Sequence, residues 1–349
     1  MDKNQQYILT ERPKGMPDDT HLVFTEAPLP TPGYGEVLLK TIYLSLDPYM
    51  RGRMNAGASY ARSVNLGDVM TGRTVSEVMT SNSSSLAPGD IVLSDNGWQR
   101  YAVAPAEGLV KLNPEEMPIS TAVGIMGMPG FTAYVGLLDL AQPKAGETVV
   151  VSAAAGAVGQ VVGQLAKMKG CYVVGVAGAP DKCEYVVKEY GFDACINYKD
   201  DDFEAQLMAA CPKGIDVYFE NVGGRVFDAV MELVNDFARI PVCGRIAHYN
   251  MTSLPEGRDR LIPFMGKVLV KRLMLRGFIQ SDHHDRLPDF RRDMSRWIQQ
   301  GKIRYQEDII DGFDNAISAF QGLLQGANRG KLLVRVSDDP TLRPSLSKH

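Results

Sequence analysis

The sequence predicts an α/β protein in which a doubly wound parallel sheet domain is joined to a β-rich domain. Three observations carry this. Apolar, strand-length runs alternate with helix-length segments from about Gly146 onward. The first ~125 residues instead hold β-branched and aromatic segments between turn formers. And 349 residues are too many for one ordinary domain and about right for two.

In the N-terminal part, GEVLLKTIYLSL (35–46), DIVLS (90–94) and the segment 101–104 read as strands. Polar stretches at 55–65 and 80–85 read as loops, which suits an irregular β-barrel better than a parallel sheet. Then the texture changes. ETVVVSA (147–153) is a compact apolar strand, followed by a glycine turn and a helical pattern through 169. CYVVGVA (171–177) and a helix over 181–190 follow, then ACINY (194–198) and a helix over 203–210. IDVYFENV (215–222), a helix over 225–234 and ARIPVCG (238–244) complete five strands. LMLRGFIQ (273–280) adds one more, with helices at 287–300 and 315–324 after it. A final strand, KLLVRV (331–336), is expected to return to the N-terminal barrel. No internal repeat is present.

Composition narrows the function. Hydrophobic residues make up 45% and charged residues 22%, an ordinary globular balance. The formal charge of -4 lacks the basic excess that marks nucleic-acid-binding surfaces, so no nucleic-acid partner is expected. Five cysteines (Cys171, Cys183, Cys195, Cys211, Cys243), none in a C-x-x-C pair, read as reduced thiols of a cytoplasmic protein. The opening MDKNQQYILTERPKG lacks the apolar core of a secretory signal. Two uncharged stretches, 118–138 and 148–166, are long enough to resemble membrane spans. Their turns and small-residue runs place them inside a soluble fold, and no membrane partner is expected.

The sharpest local signal is AAAGAVG, read as A-x-G-x-x-G from Ala154 between a predicted strand and helix. Gly156 lets the backbone approach a pyrophosphate. Gly159 and Gly163 let the helix pack close to the sheet, and the helix N-terminus faces the phosphates. The turn Gly156, Ala157, Val158 and Gly159 is therefore the cofactor-binding candidate. An acidic residue about 20 positions on would mark NAD. That place holds Ala177 and Gly178, with Asp181 read as the cap of the next helix. Lys182 then becomes the cation for a 2′-phosphate and Tyr198, ending the third strand, flanks the adenosine. The pattern favours NADPH.

No metal site is expected. A catalytic zinc needs three protein ligands, and the N-terminal ~125 residues hold one histidine, His21, and no cysteine. His283 and His284 form an adjacent pair in a polar segment and are expected to face water.

Longer strings carry a resemblance: LSLDPYMRGRM (44–54), IMGMPGFTAYVGL (125–137), VSAAAGAVGQVVGQLAK (151–167), DVYFENVGG (216–224) and PVCGRIAHYN (241–250). Together these resemble the zinc-independent medium-chain dehydrogenases/reductases, and within them the alkenal, prostaglandin and curcumin double-bond reductases, over about residues 5–336. The resemblance implies a Rossmann-type NADP-binding domain over 126–309 and a GroES-like β-barrel catalytic domain over 1–125 and 310–349. It implies hydride transfer from NADPH to the β-carbon of a conjugated enone or enal, and a homodimer paired along the strand at 273–280.

Such a reaction needs a donor for the developing enolate oxygen, and a hydroxyl can serve where no metal does. The resemblance makes Tyr249, in HYN after the fifth strand, the candidate, since the family's corresponding tyrosine lies beside the nicotinamide and substrate, and a phenol keeps its proton at neutral pH. The proton can equally come from the cofactor's ribose hydroxyl or from water. The resemblance makes Tyr49, in DPYMR, the second catalytic candidate, as an anchor for the substrate carbonyl or ring. Arg51 reads as structural. The resemblance also places Met128, Thr132, Asn221, Cys243, Phe278, Ile279 and Asn328 around the cofactor. The strings SDHHDR after FIQ, and RLIPF, depart from the family pattern, which bears on substrate range rather than reaction type. The competing readings are an NADPH quinone oxidoreductase and a non-catalytic NADPH-binding protein on the same scaffold.

Overall fold

The computed structural model describes residues 3–254 and 260–342. The chain divides into two compact units. The first comprises Met1–Gly124, Asp308–Ala327 and Leu332–His349; the second comprises Ile125–Glu307 and Asn328–Lys331.

The first unit opens with an antiparallel pair, β1 (Lys3–Leu9) and β2 (Leu22–Pro28). Strand β3 (Glu36–Ser45) follows, then the short helix α1 (Tyr49–Arg53) and strands β4 (Thr74–Ser81), β5 (Ile91–Ser94), β6 (Tyr101–Pro105) and β7 (Val110–Lys111). The chain returns at its C-terminal end with β14 (Glu307–Asp311), α9 (Ala316–Leu324) and β15 (Lys331–Arg335). The main sheet runs β14-β15-β3-β4-β5-β7, with β6 also on β3. Strand β3 organises it. Its first half pairs with β6 (Lys40 opposite Tyr101) and its end with β15 (Ser45 opposite Leu333), so two strands share one edge in succession. The expected return of the last strand to the N-terminal sheet is thus observed.

Beneath this sheet lies a core of Leu9, Leu22, Met50, Met54, Trp98 and Phe320. Trp98 meets Phe320 edge-on at 5.6 Å. Arg51 is buried, and its guanidinium donates to the carbonyls of Pro13 and Gly15 and to Asn55 Oδ1. That accounts for it as a brace of the loop at 13–15.

In the second unit, helix α2 (Met128–Tyr134) runs into a wider π turn at Val135–Ala141. Then β8 (Thr148–Ser152), α3 (Gly159–Met168), β9 (Tyr172–Ala177), α4 (Pro180–Tyr190), β10 (Ala194–Asn197), α5 (Phe203–Ala210), β11 (Ile215–Phe219), α6 (Gly224–Leu233) and β12 (Val234–Val242) alternate. Helix α7 (Leu261–Lys271), β13 (Met274–Gly277) and α8 (Leu287–Gln299) complete it. All six strands are parallel in the order β10-β9-β8-β11-β12-β13. This is the doubly wound sheet the alternation predicts. Its strands are apolar throughout because both faces are covered. Val149 and Val151 of β8 pack with Val161, Leu165 and Phe290 on one face. Val150 packs with Phe203, Leu207 and Val230 on the other. Each such valine stabilises the fold by roughly 1.5–3 kcal/mol.

Several elements differ from expectation. β1, β2, β4, β7, β14, α1, α2 and α7 were not predicted, and the expected loop at 80–85 begins inside β4. Strand β4 hides polar groups: Thr74 and Ser76 are buried and share hydrogen bonds with Ser94 and Asn96, so its apolar alternation is broken. Helix α7 shows no solvent-facing polar stripe, since Leu261, Ile262 and Leu269 are exposed. Strand β12 starts four residues earlier than ARIPVCG suggested, with Phe237 in a left-handed conformation (φ 63°) inside it. The uncharged stretches resolve into short segments, and among the described residues no helix is long and apolar enough to cross a membrane.

Candidate active site

In the second unit, β8 is flanked by β9 on one side and β11 on the other, so the chain order reverses there. Ligands of open parallel sheets bind outside the carboxyl ends of the strands at such a switch point. The segments that leave those ends are the ones singled out above.

The turn after β8 is shaped by close approaches. Ala153 is left-handed (φ 50°), and its carbonyl accepts the N–H of Gly156 at 2.9 Å. A Cβ on Gly159 would lie 2.2 Å from that carbonyl, and one on Gly163 would lie 1.8 Å from the Phe192 ring. Both glycines are required for the helix to sit on the sheet. Alanine at the first fingerprint position also has its reason: a side chain on Gly175 of the neighbouring strand would lie 2.9 Å from the Ala154 Cβ. Ala157 and Val158 are half-buried, and Val158 caps α3 without any side-chain hydrogen bond. The helix start is therefore left to backbone groups, as an anion site needs.

At the end of β9, the Tyr198 ring lies against Gly178, where a Cβ would meet its Cε1 at 2.9 Å and its hydroxyl at 3.2 Å. Tyr198 sits one residue beyond β10 rather than at its last position. Lys182 Nζ donates to the main-chain carbonyl of Asn328 at 2.5 Å, and Asn328 Nδ2 to the Gly330 carbonyl at 2.8 Å. Gly330 in turn donates to the Ala155 carbonyl at 2.7 Å. Lys182, Asn328 and the fingerprint turn are thereby joined, although Asn328 is distant in sequence. Asp181 does not cap α4. The extended Ala179 precedes the helix, Pro180 occupies its start, and Asp181 lies in the first turn with no capping bond.

Asn221 stands two residues past the end of β11. Its N–H donates to Ser152 Oγ at 2.9 Å and its Nδ2 to the Ser152 carbonyl at 2.8 Å. Burial pushes the thiol of Cys243 up to about 12, with Glu220 adding to the shift, so it stays protonated. Tyr249 follows a short helical turn, Ile246–His248, and is half-buried. Its hydroxyl lies 3.6 Å from where a Gly244 Cβ would stand, and the Asn221 carbonyl lies 3.1 Å from the same point. The Tyr249 hydroxyl and the Asn221 carbonyl thus both approach the same glycine. Phe278, half-buried with Ile279 after β13, meets Phe219 edge-on at 6.3 Å. On α2, Thr132 Oγ1 donates to the Met128 carbonyl at 2.8 Å, and both residues are half-buried.

Tyr49 belongs to the first unit, where it opens α1. Burial, reinforced by Asp47 and Asp95 and opposed by Arg73 and Arg53, raises its phenol well above the usual range. The Arg53 guanidinium lies 5.6 Å over its ring. In the same unit, His21 Nδ1 is held by Asp18 at 2.6 Å. His283 is half-buried in a tight turn and only His284 is exposed, so the pair does not face water together. Among the described residues, no three His, Cys, Asp or Glu side chains are grouped to hold a metal ion.

Sequence reasoning missed Ser152 and Glu220. The signal was available: a glutamate inside the apolar run VYFENV is a charge expected to be buried.

Two family models match the chain: the N-terminal domain of oxidoreductase over residues 5–112, and zinc-binding dehydrogenase over residues 157–299. The NADPH-dependent curcumin reductase of Escherichia coli is 52% identical over 338 residues, covering 97% of this chain and 98% of that protein. The chain belongs to the zinc-independent medium-chain dehydrogenases/reductases. The tobacco (Nicotiana tabacum) NADP⁺-dependent 2-alkenal reductase is 41% identical, covering 96% of this chain and 98% of its own. The crystal structure of CurA from Vibrio vulnificus in complex with NADPH superposes with a TM-score of 0.93 at 50% identity, covering 96% of this chain and all of that one. Membership in this family fits the two-unit architecture of a parallel Rossmann-type sheet and a GroES-like β-unit.

Proposed function

We propose that this protein is an NADPH-dependent reductase of the α,β-double bond of conjugated enones and enals, with Tyr249 as the hydroxyl donor. The full-length likeness to the curcumin and alkenal reductases carries the reading. The approach of the Tyr249 hydroxyl and of the Asn221 carbonyl to the same Gly244 supports its residue assignment.

The fingerprint turn suits a dinucleotide because glycines at 159 and 163 let α3 sit close on the sheet, and its start is capped by no side chain. Gly156, Ala157, Val158 and Gly159 are assigned to the pyrophosphate, and Gly178, Lys182, Tyr198 and Asn328 to the phosphorylated adenosine end. Met128, Thr132, Asn221, Cys243, Phe278 and Ile279 are assigned to the nicotinamide end. When bound, NADPH would supply a hydride to the β-carbon, the proton for the α-carbon coming from Tyr249, the ribose hydroxyl or water. Tyr249 donates a hydrogen bond to the oxygen where charge develops, and Tyr49 anchors the substrate carbonyl or ring as a neutral phenol. Residues 1–125 and 310–349 act as the catalytic domain and 126–309 as the NADP-binding domain.

A cytoplasmic homodimer is part of this proposal. Its support is β13, an edge strand with β12 as its neighbour, beside the exposed apolar side chains of α7.

The test follows NADPH consumption with benzylideneacetone, cinnamaldehyde and menadione. Faster turnover of the enone and enal is expected. Equal preference for the quinone favours a quinone reductase, and NADPH binding without turnover of any conjugated carbonyl favours a non-catalytic protein.

A further inference from the structure

Glu220, just past β11, is 2% exposed. Burying a carboxyl is costly, and among the described residues only one of its two oxygens has hydrogen-bond partners. Its Oε1 accepts the N–H groups of Val222 at 2.5 Å and Gly223 at 2.9 Å, with Ser152 Oγ at 3.4 Å. Its main-chain carbonyl accepts from Cys243 at 2.9 Å and Gly244 at 3.1 Å, and its N–H donates to the Pro241 carbonyl at 3.1 Å. One residue therefore grips the turns that leave two adjacent strands. The segment leading to Tyr249 hangs from the same place. The N–H of Ile246 donates to the Asn221 carbonyl at 3.3 Å, and that of Ala247 to the Val222 carbonyl at 3.0 Å.

We infer that Glu220 is a positioning residue for the reduction: it holds the turns at 221–223 and 243–249 in register, and so sets where the Asn221 amide and the Tyr249 hydroxyl stand. The inference rests on the reductase reading. It assigns Glu220 no contact with substrate or cofactor.

The side-chain half of this grip is an acceptor oxygen, so variants separate it from simple bulk. Glu220→Gln keeps an oxygen for the two N–H groups, whereas Glu220→Met keeps the length and removes it. For each, kcat and KM are measured with benzylideneacetone, and the affinity for adenosine 2′,5′-bisphosphate by titration calorimetry. The bisphosphate probes only the far end of the cofactor site. Expected are a kcat within about threefold of wild type for Glu220→Gln, and a loss of about tenfold or more for Glu220→Met. Bisphosphate affinity should stay within about twofold in both. If the Met variant does not fold, Glu220→Asp, whose oxygen is withdrawn by one methylene, is expected to show the same split. Wild-type kcat in the Met or Asp variant overturns the inference, as does a parallel fall of kcat and bisphosphate affinity. A wild-type enzyme that binds the bisphosphate yet reduces no enone overturns the reductase reading itself, and this inference with it.

Discussion

The ammonium of Lys182 and the main-chain carbonyl of Asn328 stand 2.5 Å apart. The cation assigned to the 2′-phosphate is thus positioned by the loop that carries another proposed cofactor residue. Lys182→Ala is expected to weaken NADPH by about 1.5–3 kcal/mol, the range of a charge-assisted hydrogen bond, or roughly 10- to 150-fold. NADH, which lacks that phosphate, should change little. Fluorescence titration of both cofactors checks this, and equal losses would remove Lys182 from the phosphate.

Tyr249→Phe deletes one hydroxyl and leaves the ring packed. If that hydroxyl stabilises the developing oxyanion, kcat should fall about 100-fold with NADPH affinity unchanged. Tyr49→Phe, an anchor rather than an oxyanion donor in this reading, should instead raise KM for the enone. Unchanged turnover in Tyr249→Phe would end its donor role.

Much of this architecture was legible because its physics is local. The β8–α3–β9 unit announces itself through uninterrupted valines and a glycine turn, and both follow from burial on two faces and close helix approach. Strand β4 was hidden because Thr74 and Ser76 satisfy one another's hydroxyls inside the sheet. Asp181 was misread because Pro180 already begins the helix. The link from Lys182 to Asn328 spans 146 residues and has no local signature. Glu220 was visible as an oddity in an apolar strand, but its partners belong to two other segments.

Gly159→Ala tests the fingerprint turn as a packing device. The added Cβ would stand 2.2 Å from the Ala153 carbonyl and 2.9 Å from the Ala154 Cα, both backbone atoms with little freedom to yield. Overpacking of this kind costs roughly 1–3 kcal/mol. The urea midpoint should fall, and NADPH affinity with it, because α3 must lift from the sheet. Wild-type stability would show that the turn tolerates the methyl.

Burial raises the Glu220 carboxyl above the usual glutamate range, although the N–H groups of Val222 and Gly223 and the Ser152 hydroxyl pull it down. A group raised on folding contributes stability that is fully present below its unfolded pKa and is lost as pH rises through the folded value. Exposed carboxylates held low by partners, such as Glu204 beside Arg225 at about 2, act in the opposite sense but are common to wild type and variant. The Tm difference between wild type and Glu220→Gln should therefore move against wild type as pH rises from about 4. A difference that stays flat with pH would show that Glu220 keeps an ordinary pKa.

Ile262 and Leu269 lie seven residues apart, on one stripe of α7, and are 76% and 77% exposed. Contiguous apolar surface of this kind, beside an edge strand, is an aggregation hazard unless a partner covers it. A second copy pairing along β13 would cover the edge, and packing on α7 would remove the stripe from water. The double variant Ile262→Glu, Leu269→Glu places two charges where that partner would sit, and each buried unpaired carboxylate is costly. Light scattering coupled to size exclusion should report a dimer for wild type and a monomer for the variant. A wild-type monomer, or a dimer that survives both charges, would move the interface elsewhere.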